Sequence, residues 1–111
     1  MRAVKKDKYF RDRGNVFKIL QLSCARCGKK ILLYQKDGRG ILHRLYLNRI
    51  LAPENLACLQ ENVESASELE RLICECGNII GIPMQHWEGR VAFRLINGTF
   101  KKQQQKKRGK K

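Results

Sequence analysis

Five cysteines concentrate the chemistry of this sequence: Cys24, Cys27, Cys58, Cys74 and Cys76. Four of them form two close pairs, Cys24-Ala25-Arg26-Cys27-Gly28 and Cys74-Glu75-Cys76-Gly77, each followed by glycine. The pattern suits a metal knuckle, a tight reversal that turns two sulfurs toward one ion at a position where glycine tolerates positive φ. The odd cysteine count, and charged opening residues with no apolar stretch behind them, weigh against a secreted disulfide framework. Four thiolates on one zinc ion leave no open coordination position, so Cys24, Cys27, Cys74 and Cys76 are expected to hold a structural ion. Arg26, Lys29, Lys30 and the backbone N–H groups of Gly28 and Gly77 would offset the negative charge of such a centre. The alternative is a set of reduced cysteines packed as small apolar residues.

Other reactive side chains point nowhere as clearly. A redox Cys-x-x-Cys belongs at a helix start, whereas a β-like apolar run follows Cys27. His43 reads as a strand residue and His86 as a turn-flanking or surface residue, with replacement of a cysteine ligand as the alternative for each. Cys58 projects away from Leu56 at helical spacing and makes a poor ligand. Two such histidines give no nucleophile–base arrangement, and no catalytic residue is assigned. A metal-dependent nuclease would need paired acids beside its ion, but Asp7, Asp12 and Asp37 are scattered and the glutamates cluster elsewhere.

The elements that would position the cysteines repeat. An apolar run (Val16 to Leu22, then Leu69 to Ile73) precedes each pair. A second run follows (Lys29 to Lys36, then Asn78 to Trp87), then a glycine turn (Asp37-Gly38-Arg39-Gly40, then Glu88-Gly89-Arg90) and a third run (Ile41 to Leu47, then Val91 to Ile96). The copies align at a spacing of fifty residues: Ile19 with Leu69, Leu22 with Leu72, Cys24 with Cys74, Arg44-Leu45 with Arg94-Leu95. Each copy reads strand, knuckle, strand, turn, strand, and chance similarity of two hairpins is the competing account. Between them, Pro53 and Glu54 suit a helix start, and Leu56, Leu59 and Val63 share one helical face.

Two knuckles followed by hairpins resemble the zinc-ribbon group over roughly residues 16–49 and 69–100, through Cys24, Cys27, Gly28, Cys74, Cys76 and Gly77. The second pair departs from that group's usual Cys-x-x-Cys by one missing spacer residue, and the gap of residues 28–73 is longer than in a minimal ribbon. The resemblance implies a single four-cysteine zinc site that serves nucleic-acid or protein binding rather than catalysis. The expected fold is a small mainly-β zinc-ribbon-like domain: two knuckle and β-hairpin repeats, 16–49 and 69–100, joined by one α-helix in an acidic segment, 50–68. A basic arm (1–15) and a basic tail (101–111) are expected to be disordered, with Tyr9 and Phe10 as anchors of the arm.

Charge assigns the expected work. The chain of 111 residues carries a formal net charge of +14, and 42% hydrophobic residues allow a modest core. Residues 1–49 carry +11, residues 50–70 carry −5 and residues 101–111 carry +7. No apolar run is long enough to cross a membrane as a helix. Strand alternation puts Ile41, His43, Leu45 and Leu47 on a core face and Arg44 and Tyr46 on the other, with Arg94 equivalent to Arg44. Arg39 and Arg90 occupy the turns. Arg39, Arg44, Tyr46, Arg90, Arg94, Lys101, Lys102, Lys106, Lys107 and Arg108 are therefore candidate nucleic-acid contacts, arginine for phosphate and exposed tyrosine for stacking. The alternative places Tyr46 and Trp87 in the core and leaves the arginines as solvated charge. No helix reads as a base-reading helix, which favours RNA over DNA. The leading expectation is a cytoplasmic, non-catalytic RNA binder of ribosomal or ribonucleoprotein type that touches mostly phosphate. The alternative is a transcription-related or other adaptor that meets a protein through its ribbon, its acidic helix and the Trp87 region.

Overall fold

The computed structural model describes residues 1–86 and 88–105, so the expectations for Trp87, Lys106, Lys107 and Arg108 lie outside the described residues. Around the first cysteine pair, β1 (Phe17–Cys24) and β2 (Lys30–Asp37) run antiparallel, with Leu20 opposite Tyr34 and Leu22 opposite Leu32. Alternation turns these four side chains, with Cys24, to the interior, where all are buried. There follow β3 (Arg44–Tyr46), a 3-10 turn at Leu47–Arg49 and β4 (Ile50–Ala52). The second half supplies β5 (Leu72–Ile73), β6 (Ile79–Gln85), β7 (Val91–Leu95) and β8 (Phe100–Gln104).

The strands form two four-stranded antiparallel sheets, ordered β4-β2-β1-β8 and β3-β7-β6-β5. The second copy follows its expected plan, with β6 turning back into β7 so that Gln85 lies opposite Val91. The first copy does not. After the Asp37–Gly40 turn the chain leaves its own sheet, β3 pairs with β7, and β4 takes the edge of β2. Leu45, Tyr46 and Leu47 are all buried, so this segment is not the one-sided hairpin arm that alternation implies. The start of the tail also departs from expectation: Lys101 to Gln104 belong to β8 and pair with β1, Ser23 opposite Lys101. Each sheet thus takes one strand from the other half of the chain, and one hydrophobic cluster, including Leu22, Leu32, Ile50, Ile80 and Phe93, unites them.

Residues 1–15 are packed on the body rather than extended as an arm. The Asp7 carboxylate accepts the N–H groups of Tyr9 and Phe10 and caps α1 (Lys8–Asp12), whose Phe10 is buried. The Lys5 N–H donates to Gln35 Oε1, and Gln35 Nε2 donates to the Lys5 carbonyl. Arg49, 1% exposed, donates to Asp7 at 2.6 and 3.1 Å and to Asp37 at 2.7 Å. These acids look scattered in the sequence, yet folding brings two of them onto one buried guanidinium.

The acidic segment is two short helical turns rather than one helix, α2 (Glu54–Ala57) and α3 (Leu59–Asn62). Side-chain amides of Gln60 and Asn62 donate to the carbonyls of Ala57 and Cys58, and the Glu61 N–H closes a tight bond to Cys58, which interrupts the α pattern. Leu56, Leu59 and Val63 pack on the core as their spacing suggests. Glu54 and Glu61 are exposed, and both accept hydrogen bonds from the Arg2 guanidinium, at 2.6 and 2.7 Å at closest. No helix among the described residues is long and apolar enough to cross a membrane.

Candidate metal centre

The four paired cysteines converge. The first pair bridges β1 and β2 of one sheet, the second bridges β5 and β6 of the other, and all four sulfurs lie within 4.8 Å of one another. Cys24 Sγ is 3.7 Å from Cys76 Sγ, and Cys27 Sγ is 3.5 Å from Cys74 Sγ. A tetrahedral ion with metal–sulfur bonds of about 2.3 Å requires sulfurs about 3.8 Å apart, so the set fits such an ion. None of the five cysteines is in a disulfide. Cys24 and Cys74 are buried and Cys27 and Cys76 exposed, which puts the cluster at the rim of the core.

Both knuckles close by the same bonds despite their unequal length. Cys24 N–H donates to Lys29 O and Gly28 N–H to Cys24 O; Cys74 N–H donates to Asn78 O and Gly77 N–H to Cys74 O. Positive φ at Gly28 (80°) and Gly77 (94°) makes these reversals feasible. The two glycine N–H groups therefore bond carbonyls rather than sulfur. The sulfur of Cys24 instead accepts from the Arg26 N–H and from Asn78 Nδ2, each at 3.4 Å. Burial alone would push the Cys24 thiol up, but these donors and the Cys27 N–H bring it down to about 6. At Cys27 the Lys29 N–H acts downward, yet the neighbouring sulfurs of Cys74, Cys76 and Cys24 and the burial raise it to about 11, since the cluster shares negative charge. Lys29 is paired with Glu75, and so links the two knuckles while its charge is shared.

Asn78 is the supporting residue that pattern reading missed. Its amide spans Cys24 Sγ and, at 3.0 Å, the carbonyl of Thr99, which also accepts the Ala25 N–H. A polar residue directly after the knuckle glycine was the available signal. Cys58 lies outside the cluster and donates to the Asn55 carbonyl. His43 and His86 are also outside it; His86 Nδ1 accepts the Glu88 N–H.

The nucleic-acid candidates divide. Arg44, Tyr46 and Arg90 line one cavity between α1, β2, β3 and the β6–β7 turn. Tyr46 is buried, 9% exposed, so it is not the open stacking platform that alternation suggests, and its N–H donates to the Tyr34 hydroxyl. Arg90 is half-buried, with its guanidinium carbon 3.8 Å from the Tyr46 ring centre and 3.9 Å from that of Tyr9. Arg94 lies directly across the strand pair from Arg44. Arg39, Arg94, Lys101 and Lys102 are exposed, and Ile41, assigned to the core face by alternation, is 76% exposed while Leu42 is buried. Comparison with protein-family models, curated proteins and solved structures finds no match for this chain.

Proposed function

We propose that Cys24, Cys27, Cys74 and Cys76 bind one structural zinc ion, and that this zinc-ribbon-like protein is a non-catalytic RNA binder of ribosomal or ribonucleoprotein type. The metal reading is carried by four sulfurs, two from each sheet, within 4.8 Å of one another. An all-thiolate donor set favours a soft or borderline ion, and a closed set of four gives zinc a structural role.

The RNA reading draws on the same chain's cations. A net charge of +14 favours phosphate, and some of the cations stand opposite one another. Arg44 faces Arg94 and Lys18 faces Lys36 across strand pairs, an arrangement that is destabilising without a counter-charge. Arg2 engages Glu54 and Glu61 within the chain, so the adaptor reading loses part of its acidic docking face.

The test has two arms. Elemental analysis of purified protein should give one zinc per chain, and Cys24→Ser or Cys76→Ser should lower both zinc content and thermal stability. RNA affinity should fall steeply as salt rises. Metal-free protein of unchanged stability overturns the first reading, and no RNA binding at low salt overturns the second.

A further inference from the structure

We propose that the cavity between α1, β2, β3 and the β6–β7 turn is an oxyanion pocket that takes one phosphoryl group. Its volume is about 140 Å3. That is room for an oxyanion and well below the roughly 300–1,000 Å3 of pockets that enclose a whole drug-sized ligand. Five cations line it, Arg13, Lys36, Arg44, Arg49 and Arg90, against one carboxylate, Asp37. Asp37 and Asp7 are both engaged by Arg49. That leaves Arg13, Lys36, Arg44 and Arg90 with no carboxylate in ion-pair contact among the described residues.

Arg90 is the best-prepared of these. The Tyr9 and Tyr46 rings lie against its guanidinium, and Asn48 Oδ1 accepts from one terminal nitrogen at 3.0 Å. Rings packed on the faces of a guanidinium leave its edges for hydrogen bonding, and the edge geometry of arginine matches two oxygens of a phosphate. Arg90 Nε is buried and is the one such side-chain nitrogen or oxygen without a hydrogen-bond partner among the described residues. That atom has almost no surface open to the cavity, so an oxyanion meets the terminal nitrogens of Arg90 and is felt at Nε–H through the shared guanidinium. Burial lowers the pKa of Arg90 and of Lys36, and at Lys36 the nearby Lys18 and Arg13 add to it and outweigh the Asp37 carboxylate. Arg44 donates to no protein group among the described residues, and its position on the cavity wall leaves it available to the same ligand.

The phosphoryl group has two sources, a free phosphate or small phosphorylated molecule, or the phosphorylated end of an RNA strand. Only the second rests on the RNA reading. Inorganic phosphate titrated into the 15N-labelled, metal-loaded full chain, against chloride at matched ionic strength, should shift the Arg90 Nε–H resonance saturably with one-to-one stoichiometry. Arg44→Gln should weaken this binding roughly tenfold, as loss of one charge-assisted donor does. Arg71→Gln removes the same charge from an exposed site away from the cavity and should leave the affinity within about twofold. Should Arg44→Gln disturb the amide spectrum, Arg13→Gln serves in its place. A 5′-phosphorylated oligoribonucleotide that binds tighter than its 5′-hydroxyl form and competes with phosphate assigns the group to an RNA end. Equal affinity of the two oligomers, with phosphate still saturable, assigns it to a free phosphate. No saturable shift at Arg90, or equal weakening by the cavity and control variants, overturns the proposal. Failure of the RNA reading is separate and is seen as no binding of the 5′-hydroxyl oligomer at low salt.

Discussion

A guanidinium withdrawn from water is stable only where carboxylates and hydrogen bonds replace its hydration. Arg49 meets that condition through Asp7 and Asp37, and in doing so fastens the first residues of the chain to β2 and the turn after β3. Arg49→Met would leave Asp37, with a side chain 9% exposed, facing Asp7 with no cation between them. The expected loss is about 3 kcal/mol in urea unfolding of the metal-loaded protein, the lower end of the range for a broken buried pair. It is the lower end because the Asp7 side chain is 38% exposed and keeps some solvation. The pH dependence follows from the same contacts. The Arg49 hydrogen bond, with the Phe10 and Tyr9 N–H groups, outweighs burial and holds the Asp7 carboxyl at about 2 against an ordinary 3.8. A depressed acid contributes stability that is complete above its unfolded value and is lost as pH falls through the folded one. The stability gap between the native chain and Asp7→Asn, which retains an α1 cap, should therefore be constant above about pH 5 and narrow as pH drops from about 4 toward 2. Any loss of a bound metal in acid would act on both chains, so the difference between them is the readout; a gap independent of pH down to about 2.5 would refute the pairing.

At the scale of elements, pairings between neighbours in sequence were legible, and among distant contacts the meeting of the two cysteine pairs was, while the exchanged strands were not. The cysteine pairs, β1 with β2 and β6 with β7 follow from alternation and from glycines at local turns, all of which the residues themselves carry. The exchange of β3 and β8 between sheets has no local signature, since their partners lie about fifty and eighty residues away in the chain. The first fifteen residues looked like a solvated arm because their charges outnumber their apolar groups. Their docking depends on Gln35, Leu51 and Arg49, which only the fold brings near. The same distinction makes Gly38 informative. Its φ is +75°, and a Cβ there would lie 2.8 Å from Arg13 Cβ and 2.9 Å from the Arg13 carbonyl oxygen. Gly38→Ala should cost about 1–3 kcal/mol from backbone strain, with the clash against Arg13 in addition. Thermal unfolding measures the loss, and faster hydrogen exchange at α1 would locate it there. For the tail, a chain ending at Gln105 should retain native stability, because β8 is complete, and on the proposed RNA reading should bind RNA more weakly for want of five cations. A chain ending at Thr99 should be destabilised because β1 loses its edge partner; equal stability of the two truncations would remove β8 from the folding unit.

For the whole molecule, the two sheets are joined in three ways: by exchanged strands, by a shared hydrophobic cluster and by one cysteine cluster with two sulfurs from each sheet. Against these stands the charge. Twenty-four basic residues and ten acidic ones on a chain of 111 residues repel one another wherever solvent does not screen them. A structural zinc in small domains contributes an apparent ~10–16 kcal/mol to folding, enough to dominate a modest core. Chelation should then unfold both sheets in one transition, since neither contains only its own strands, and circular dichroism and hydrogen exchange should report the same midpoint. Salt should act in opposite directions on the two properties that matter. At about 0.15 M the screening length is only about 8 Å, so raising salt from low concentration weakens the Lys18–Lys36 and Arg44–Arg94 repulsions and should raise the melting temperature of the free protein. If the protein binds RNA as proposed, the same salt should weaken that binding, because counterion release on association then gains less entropy. A melting temperature that falls with added sodium chloride would mean that attractive pairs such as Arg49 with Asp7 and Asp37 outweigh the repulsions, and that the cations of the free protein are already satisfied without a polyanion.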